Sequence, residues 1–312
     1  LAQKNEVKKV VKTSDDMVSI APEEFVKVTK MNHIVEVQHM QKMNRTNHIK
    51  KLDKDRFVDI STGEIREFEH SENRQQNYNS LRQTFKKIRY LINNNFIGKP
   101  NELHITLTYK ENMTDTKRLY SDFKRFMTRL KRKYQDKSTI DYITVVEPQE
   151  RGAWHCHVLV RFNDLEKVYL SNNLVRELWE QGRIVSTKSL KDVDNIGAYL
   201  SAYLADIDLD DVKDKETAFK VASEGCEIKT KVVDGKEKKF IKGGRLHMYP
   251  PGMNMYRKSK GIIKPEREEM KFKDIKKVVG SAQPHYQKSY HVESDDFQNT
   301  ISFLQYNTKR DI

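Results

Sequence analysis

From Leu103 to Tyr109 the side chains alternate, with Leu103, Ile105 and Leu107 set against His104, Thr106 and Thr108. Successive residues of an extended chain point to opposite faces, so the segment is expected to be a strand with one apolar face. The period then changes. Leu119, Phe123, Phe126, Met127 and Leu130 recur at three- and four-residue steps behind Asp115, which predicts a capped amphipathic helix over Thr116 to Tyr134. Alternation returns at Tyr142 to Glu147 and at Trp154 to Phe162, two strands made antiparallel by a turn over Pro148 to Gly152. A helix from Leu170 to Trp179 is expected to close on Gly182 in the C′ position. A short strand at Ile184-Val185 and a helix from Val193 to Leu204 complete the series.

The order β-α-β-β-α-β-α is that of a split βαβ, ferredoxin-like α+β domain: an antiparallel central sheet with helices on one face and the other face free for polar groups. Upstream, Tyr78, Leu81, Phe85, Ile88 and Ile92 predict a helix beginning near Ser71, with Arg74, Arg82, Lys86, Lys87 and Arg89 on its opposite face. Before Phe57 there is no strong periodicity, and Phe57 to Ile60 reads as a short strand entering a turn at Ser61 to Gly63. Downstream, Asp206, Asp208, Asp210, Asp211, Asp214 and Glu216 mark a linker, and Asp234-Gly235 suggests a hairpin between Val232-Val233 and Phe240-Ile241. Three segments follow: an N-terminal basic and helical accessory region over 1–100, the central domain over 101–207, and an acidic linker with a basic C-terminal module over 208–312.

Charge narrows the partners. The 312 residues carry 58 Lys and Arg against 45 Asp and Glu, a formal net charge of +13. Residues 229–277 alone hold 16 basic against 6 acidic side chains. Such a surplus favours a polyanion, whose counterions are released on binding. The two cysteines, Cys156 and Cys226, imply no disulfide framework and fit a reducing cytoplasm. No apolar run approaches the roughly 18 residues that cross a bilayer, so no membrane role is expected. The charged first residues lack the apolar core of a secretion signal.

Candidate chemistry gathers on one strand. His155 and His157 are two residues apart in Trp154-His155-Cys156-His157 and so share a face. Glu147 ends the preceding strand, and the turn folds it back beside them. Two neutral imidazoles and a carboxylate suit a divalent cation that polarises a phosphate oxygen. Cys156 points the other way and is expected to fill core. Tyr199 and Tyr203 stand one turn apart on the last helix, which can lie across the polar sheet face. A phenol ionises near pH 10, so as a nucleophile it needs a metal or base beside it. Thr106 and Thr108 either line the site or serve the sheet; His104, on the same face, is expected at the surface. Arg151 in the turn is placed to touch a phosphate. Arg245, Tyr249, Tyr256, Arg257, Lys258 and Lys260 mix cations with aromatics, which suits backbone contact with base stacking.

Three segments carry a family resemblance: His104-Ile-Thr-Leu-Thr-Tyr109, then Glu147-Pro-Gln-Glu-Arg-Gly-Ala-Trp-His-Cys-His157, then Asn195-Ile-Gly-Ala-Tyr-Leu-Ser-Ala-Tyr203. In order and spacing they resemble motifs I, II and III of the HUH replication initiators, the rolling-circle Rep proteins of bacterial plasmids, integrative elements and phages. The resemblance spans roughly residues 57–205, and more weakly Tyr249 to Lys264. It implies an HUH endonuclease domain in which Glu147, His155 and His157 bind Mg²⁺ or Mn²⁺. It also implies that a motif III tyrosine nicks single-stranded or hairpin origin DNA, leaving a 5′-phosphotyrosine and a 3′-OH for a host polymerase. The tyrosines follow the histidines, the order of replication initiators and not of conjugative relaxases. Where relatives carry lysines three residues after each tyrosine, this chain has Ala202 and Asp206. Tyr199 is the first choice of nucleophile, with Tyr203 as the second or as a supporting group. No Gly-x-x-x-x-Gly-Lys-Ser/Thr loop is present, so unwinding is left to a host helicase. The other readings are a two-tyrosine HUH transposase and a non-catalytic single-stranded nucleic-acid-binding module, since this sheet topology also serves RNA-binding domains.

Overall fold

The computed structural model describes residues 10–14, 18–42, 48–53, 55–68, 78–149, 152–182, 185–205, 207–208, 228–233, 236–241, 248–250, 253–294 and 297–310. The fold is α+β with antiparallel sheets. It divides into two units, Leu1–His70 with Pro265–Ile312, and Ser71–Lys264.

The first unit opens with β1 (Val10–Ser14), β2 (Phe25–Met31) and β3 (Ile34–Met40), where the sequence shows little period. A small separate sheet follows, made of β4 (Ile49–Lys51), β5 (Arg56–Asp59) and β6 (Ile65–Glu67). β5 contains the strand expected from Phe57.

The second unit begins with α1 (Tyr78–Asn95), then β7 (Glu102–Leu107), α2 (Thr116–Tyr134), β8 (Ile140–Pro148), β9 (Trp154–Phe162), α3 (Asn172–Trp179), β10 (Val185–Ser189) and α4 (Ile196–Ala205). α2 starts where its cap predicts: Asp115 Oδ1 accepts the backbone N–H of Lys117 and Arg118, a contribution of about 1 kcal/mol. α3 does not close on Gly182. Glu180 takes the left-handed conformation at its end (φ 62°), and Gly182 serves a close approach, since a Cβ there would lie 2.3 Å from the Thr108 carbonyl oxygen. After α4 come β11 (Ile207–Asp208), β12 (Ile228–Val233), β13 (Lys236–Ile241) and β14 (Tyr256–Lys258). β12 pairs with β13 as the expected hairpin; its turn at 234–235 lies outside the described residues.

The central sheet runs β10-β7-β9-β8-β14, antiparallel throughout. Its first four strands have the ferredoxin-like order fourth, first, third, second, and β14 is added at one edge. One face carries Leu103, Ile105, Leu107, Val146, Cys156, Val158 and Val160, packed under Leu119, Phe123, Phe126 and Leu130 of α2 and Val175 and Trp179 of α3. Fully burying each large apolar side chain stabilises by about 1.5–3 kcal/mol. The other face is not left free. Ile88, Leu91 and Ile92 of α1 and Ile196 and Leu200 of α4 cover its middle, over Ile143, Val145 and Leu159. These apolar positions on β8 and β9 need a lid, and the two helices supply it.

The chain then returns to the first unit with β15 (Glu266–Lys271), the four-residue helix α5 (Lys276–Val279), β16 (Pro284–Ser294) and β17 (Phe297–Asn307). Its six-stranded sheet runs β1-β16-β17-β3-β2-β15, so strands from both ends of the chain share one sheet over a core of Val26, Val28, Val35, Val37, Ile275 and Leu304. Among the described residues no helix is long and apolar enough to cross a membrane.

Candidate active site

The register of three strands builds the site. Glu147 of β8 lies directly opposite His155 of β9, and Thr106 of β7 directly opposite His157. Opposed residues point to one face with their Cβ atoms about 4.5–5.5 Å apart. His104, Thr106, Glu147, His155 and His157 therefore share the sheet face on which α1 and α4 lie.

Two of the expected ligands meet. His157 Nε2 and Glu147 Oε2 are in direct contact, and both side chains are buried. The other ring nitrogen of His157, Nδ1, stands 3.1 Å from His104 Nε2, with the rings stacked at 5.3 Å between centroids. His104 is 4% exposed, not the surface histidine its polar strand face suggested. Burial, helped by the neighbouring His157 and Lys188, lowers it to about 3, so it is neutral near pH 7. On its far side the Tyr199 ring meets it edge-on, 5.8 Å between centroids and 87° between planes. A continuous row results: Tyr199, His104, His157, Glu147.

The donor set fits a divalent cation in kind, two imidazole nitrogens and a carboxylate oxygen on one sheet face. His155 is the partly exposed member, opposite Glu147. Even so, among the described residues no group of three His, Cys, Asp or Glu stands in a metal-holding arrangement. Two of the three expected ligands are drawn together and the third shares their face.

Tyr199 owes its position to the start of α4. Asn195 caps that helix, its Oδ1 accepting the Ala198 N–H at 3.0 Å. Asn93 of α1 accepts the Gly197 N–H at 2.7 Å and donates to Asn195 Oδ1 at 3.1 Å. Gly197 is required because a Cβ there would lie 2.6 Å from Asn93 Oδ1. The sequence reading did not single out these three residues. Asn195 just before an apolar helix is a legible cap signal; Asn93, one polar residue among the apolar positions of α1, is legible only once its partner is known. Tyr203 lies one turn beyond Tyr199 in α4, with its side chain outside the described residues.

Of the remaining candidates, Thr106 flanks His157, whereas Thr108 lies past the end of β7 and its carbonyl accepts Trp179 Nε1 at 2.7 Å. Arg151 and Arg245 lie outside the described residues. Arg257 and Lys258 are exposed on the edge strand β14, and Lys260 is exposed just after it. Tyr249 belongs to the core instead: it is 1% exposed, donates to the Val146 carbonyl at 3.0 Å and packs against Trp154. Cys156 fills the opposite face as expected, its thiol pushed up to about 12 by burial.

Residues 102–208 match the model of a family described as Replication-associated protein, ORF2 type. No curated protein matches the chain. The matched stretch runs from β7 through α4, the elements that build this site, and it supports a replication-associated protein with DNA as partner.

Proposed function

We propose that the chain is an HUH-type replication initiator that nicks single-stranded DNA at an origin through Tyr199. The observation that carries this reading is the row on one sheet face: Glu147 against His157, His157 against His104, and Tyr199 edge-on to His104. Glu147, His155 and His157 would hold Mg²⁺ or Mn²⁺, which supplies polarisation of a phosphate oxygen. Neutral His104 accepts the His157 Nδ1 proton, which fixes the tautomer and leaves the Nε2 lone pair directed at the Glu147 side. Tyr199 Oη attacks phosphorus as the P–O3′ bond breaks. In net balance the phenol proton ends on the leaving 3′ oxygen, giving a 5′-phosphotyrosine and a free 3′-OH. One phosphodiester replaces another, so the cut consumes no ATP and is reversed when a 3′-OH attacks the phosphotyrosine. The 3′-OH primes a host polymerase, with unwinding by a host helicase. Tyr203, one turn away, is the candidate for a second transfer.

A non-catalytic nucleic-acid-binding module is the second reading. It is favoured by the pairing of both His157 ring nitrogens with protein groups and by a metal set of two, not three, converged residues. One experiment separates the two. The protein is incubated with a hairpin-bearing oligonucleotide and Mn²⁺ and run on a denaturing gel. A covalent adduct in the wild type that is lost in Tyr199→Phe supports the nickase. An adduct that persists in Tyr199→Phe/Tyr203→Phe rules out both nucleophiles. Binding with no adduct on any hairpin leaves the binding module.

A further inference from the structure

The edge of the central sheet carries cations and aromatics outside the row just described. β14 closes that edge, pairing Tyr256 with Val145, Arg257 with Thr144 and Lys258 with Ile143. Around it lies an open groove of about 800 Å³ lined in part by Lys87, Tyr142, Tyr256, Arg257 and Lys258. Of the described residues lining it, three are cationic and none is acidic. The cations stand over rings: the Arg257 guanidinium lies 3.7 Å from the Tyr120 centroid, Lys87 Nζ 5.8 Å from that of Tyr256, and Lys131 Nζ 5.5 Å from that of Tyr142. Tyr142 and Tyr256 are partly exposed, and Arg257 is exposed.

Strand register connects this groove to the candidate active site. Thr106, His157, Val145 and Tyr256 are successive partners straight across β7, β9, β8 and β14. With neighbouring strands about 4.8 Å apart, Tyr256 stands about 10 Å from His157, on the same face. That separation suits a neighbouring stretch of one bound strand.

We propose that this edge groove binds single-stranded DNA, with bases stacked on Tyr256 and Tyr142 and on the Arg257 guanidinium, and phosphates held by Lys87, Arg257 and Lys258. It rests on the nucleic-acid reading above and does not depend on cleavage. A single strand is the occupant because the side chains alternate flat rings with cations, whereas a duplex hides its base faces and presents phosphate to charge alone. A described lining with cations and no acidic side chain is the complement of a phosphate backbone.

The test is fluorescence anisotropy of the full chain with labelled oligo-dT, without divalent metal, across a salt series. Tyr256→Ala is expected to weaken binding about ten-fold, the effect of losing one stacked base. Arg257→Ala and Lys87→Ala are each expected to flatten the salt dependence by about 0.7 in log–log slope. Lys117→Ala, exposed at the start of α2 and outside the groove, is expected to bind as the wild type does. The proposal is overturned if the folded Tyr256→Ala and Arg257→Ala proteins match wild-type affinity, or if duplex DNA competes as well as oligo-dT. Adduct formation is read separately with Mn²⁺. Weakened binding in these variants, with no adduct in the wild type, keeps the groove and removes the nickase. Unchanged affinity with normal adduct does the reverse.

Discussion

His104 Nε2 stands 3.1 Å from His157 Nδ1, and His157 turns its other nitrogen to Glu147. An imidazole that is to offer Nε2 to a metal must carry its proton on Nδ1, and that proton needs an acceptor. Buried His104, held neutral, is that acceptor. His104→Phe keeps much of the volume and removes the acceptor. It is expected to fold, and to lose about 10- to 100-fold in Mn²⁺ affinity and in metal-dependent adduct formation. Calorimetric Mn²⁺ titration of the two proteins checks this; equal affinities would remove His104 from the site.

The approach of α4 to α1 sets Tyr199. Gly197→Ala places a methyl 2.6 Å from Asn93 Oδ1, in a contact fixed by two hydrogen bonds of Asn93. The expected cost is about 1–3 kcal/mol of stability, read by urea unfolding, as for other overpacked contacts. Adduct formation is expected to fall as well, because Tyr199 moves with α4. Mn²⁺ affinity is expected to hold, because Glu147, His155 and His157 sit on β8 and β9. A variant that loses stability and keeps full activity would free Tyr199 from this contact.

Much of the second unit was legible because its signals are local. The cap at Asp115 and the apolar stripe from Leu119 to Leu130 fix α2, and unbroken alternation from Trp154 to Phe162 fixes β9. His155, His157 and Glu147 followed from the same alternation and one tight turn. What stayed hidden is non-local. β3 pairs with β17 from the far end of the chain, Ile34 against Asn307, so neither strand announces the other. The burial of His104 was hidden for the same reason. A histidine on an alternating strand looks exposed until α1 and α4 are known to lie over that face.

Cys156 offers a check on the face assignment. Its side chain is 1% exposed and its thiol is pushed up to about 12, so at pH 8 only about one in ten thousand is thiolate. In a Cys226→Ser background the folded protein is expected to resist a thiol reagent that labels it at once in denaturant. Rapid labelling of the native protein would place Cys156 near solvent and reverse the two sheet faces, moving His155 and His157 into the core.

Asp141 anchors the segment that carries β14. Its carboxylate accepts Ser259 Oγ at 2.7 Å, Asn163 Nδ2 at 3.1 Å and Arg161 Nη2 at 3.1 Å. Burial alone would raise the Asp141 carboxyl, but these hydrogen bonds favour the charged form and outweigh it, holding the group below its ordinary value of 3.8. A carboxyl lowered in the folded state binds its proton more readily when unfolded. Its contribution is therefore complete above about pH 3.8 and is lost as pH falls through the lowered value. Asp141→Asn is expected to be less stable than wild type at neutral pH, with the gap closing on acidification below that point. Urea midpoints for the two proteins across the pH series measure it. Because Ser259 directly follows β14, the same variant is expected to weaken oligo-dT binding at neutral pH. A stability gap that stayed constant down to pH 3 would mean that the carboxylate charge is not what ties β14 to the sheet.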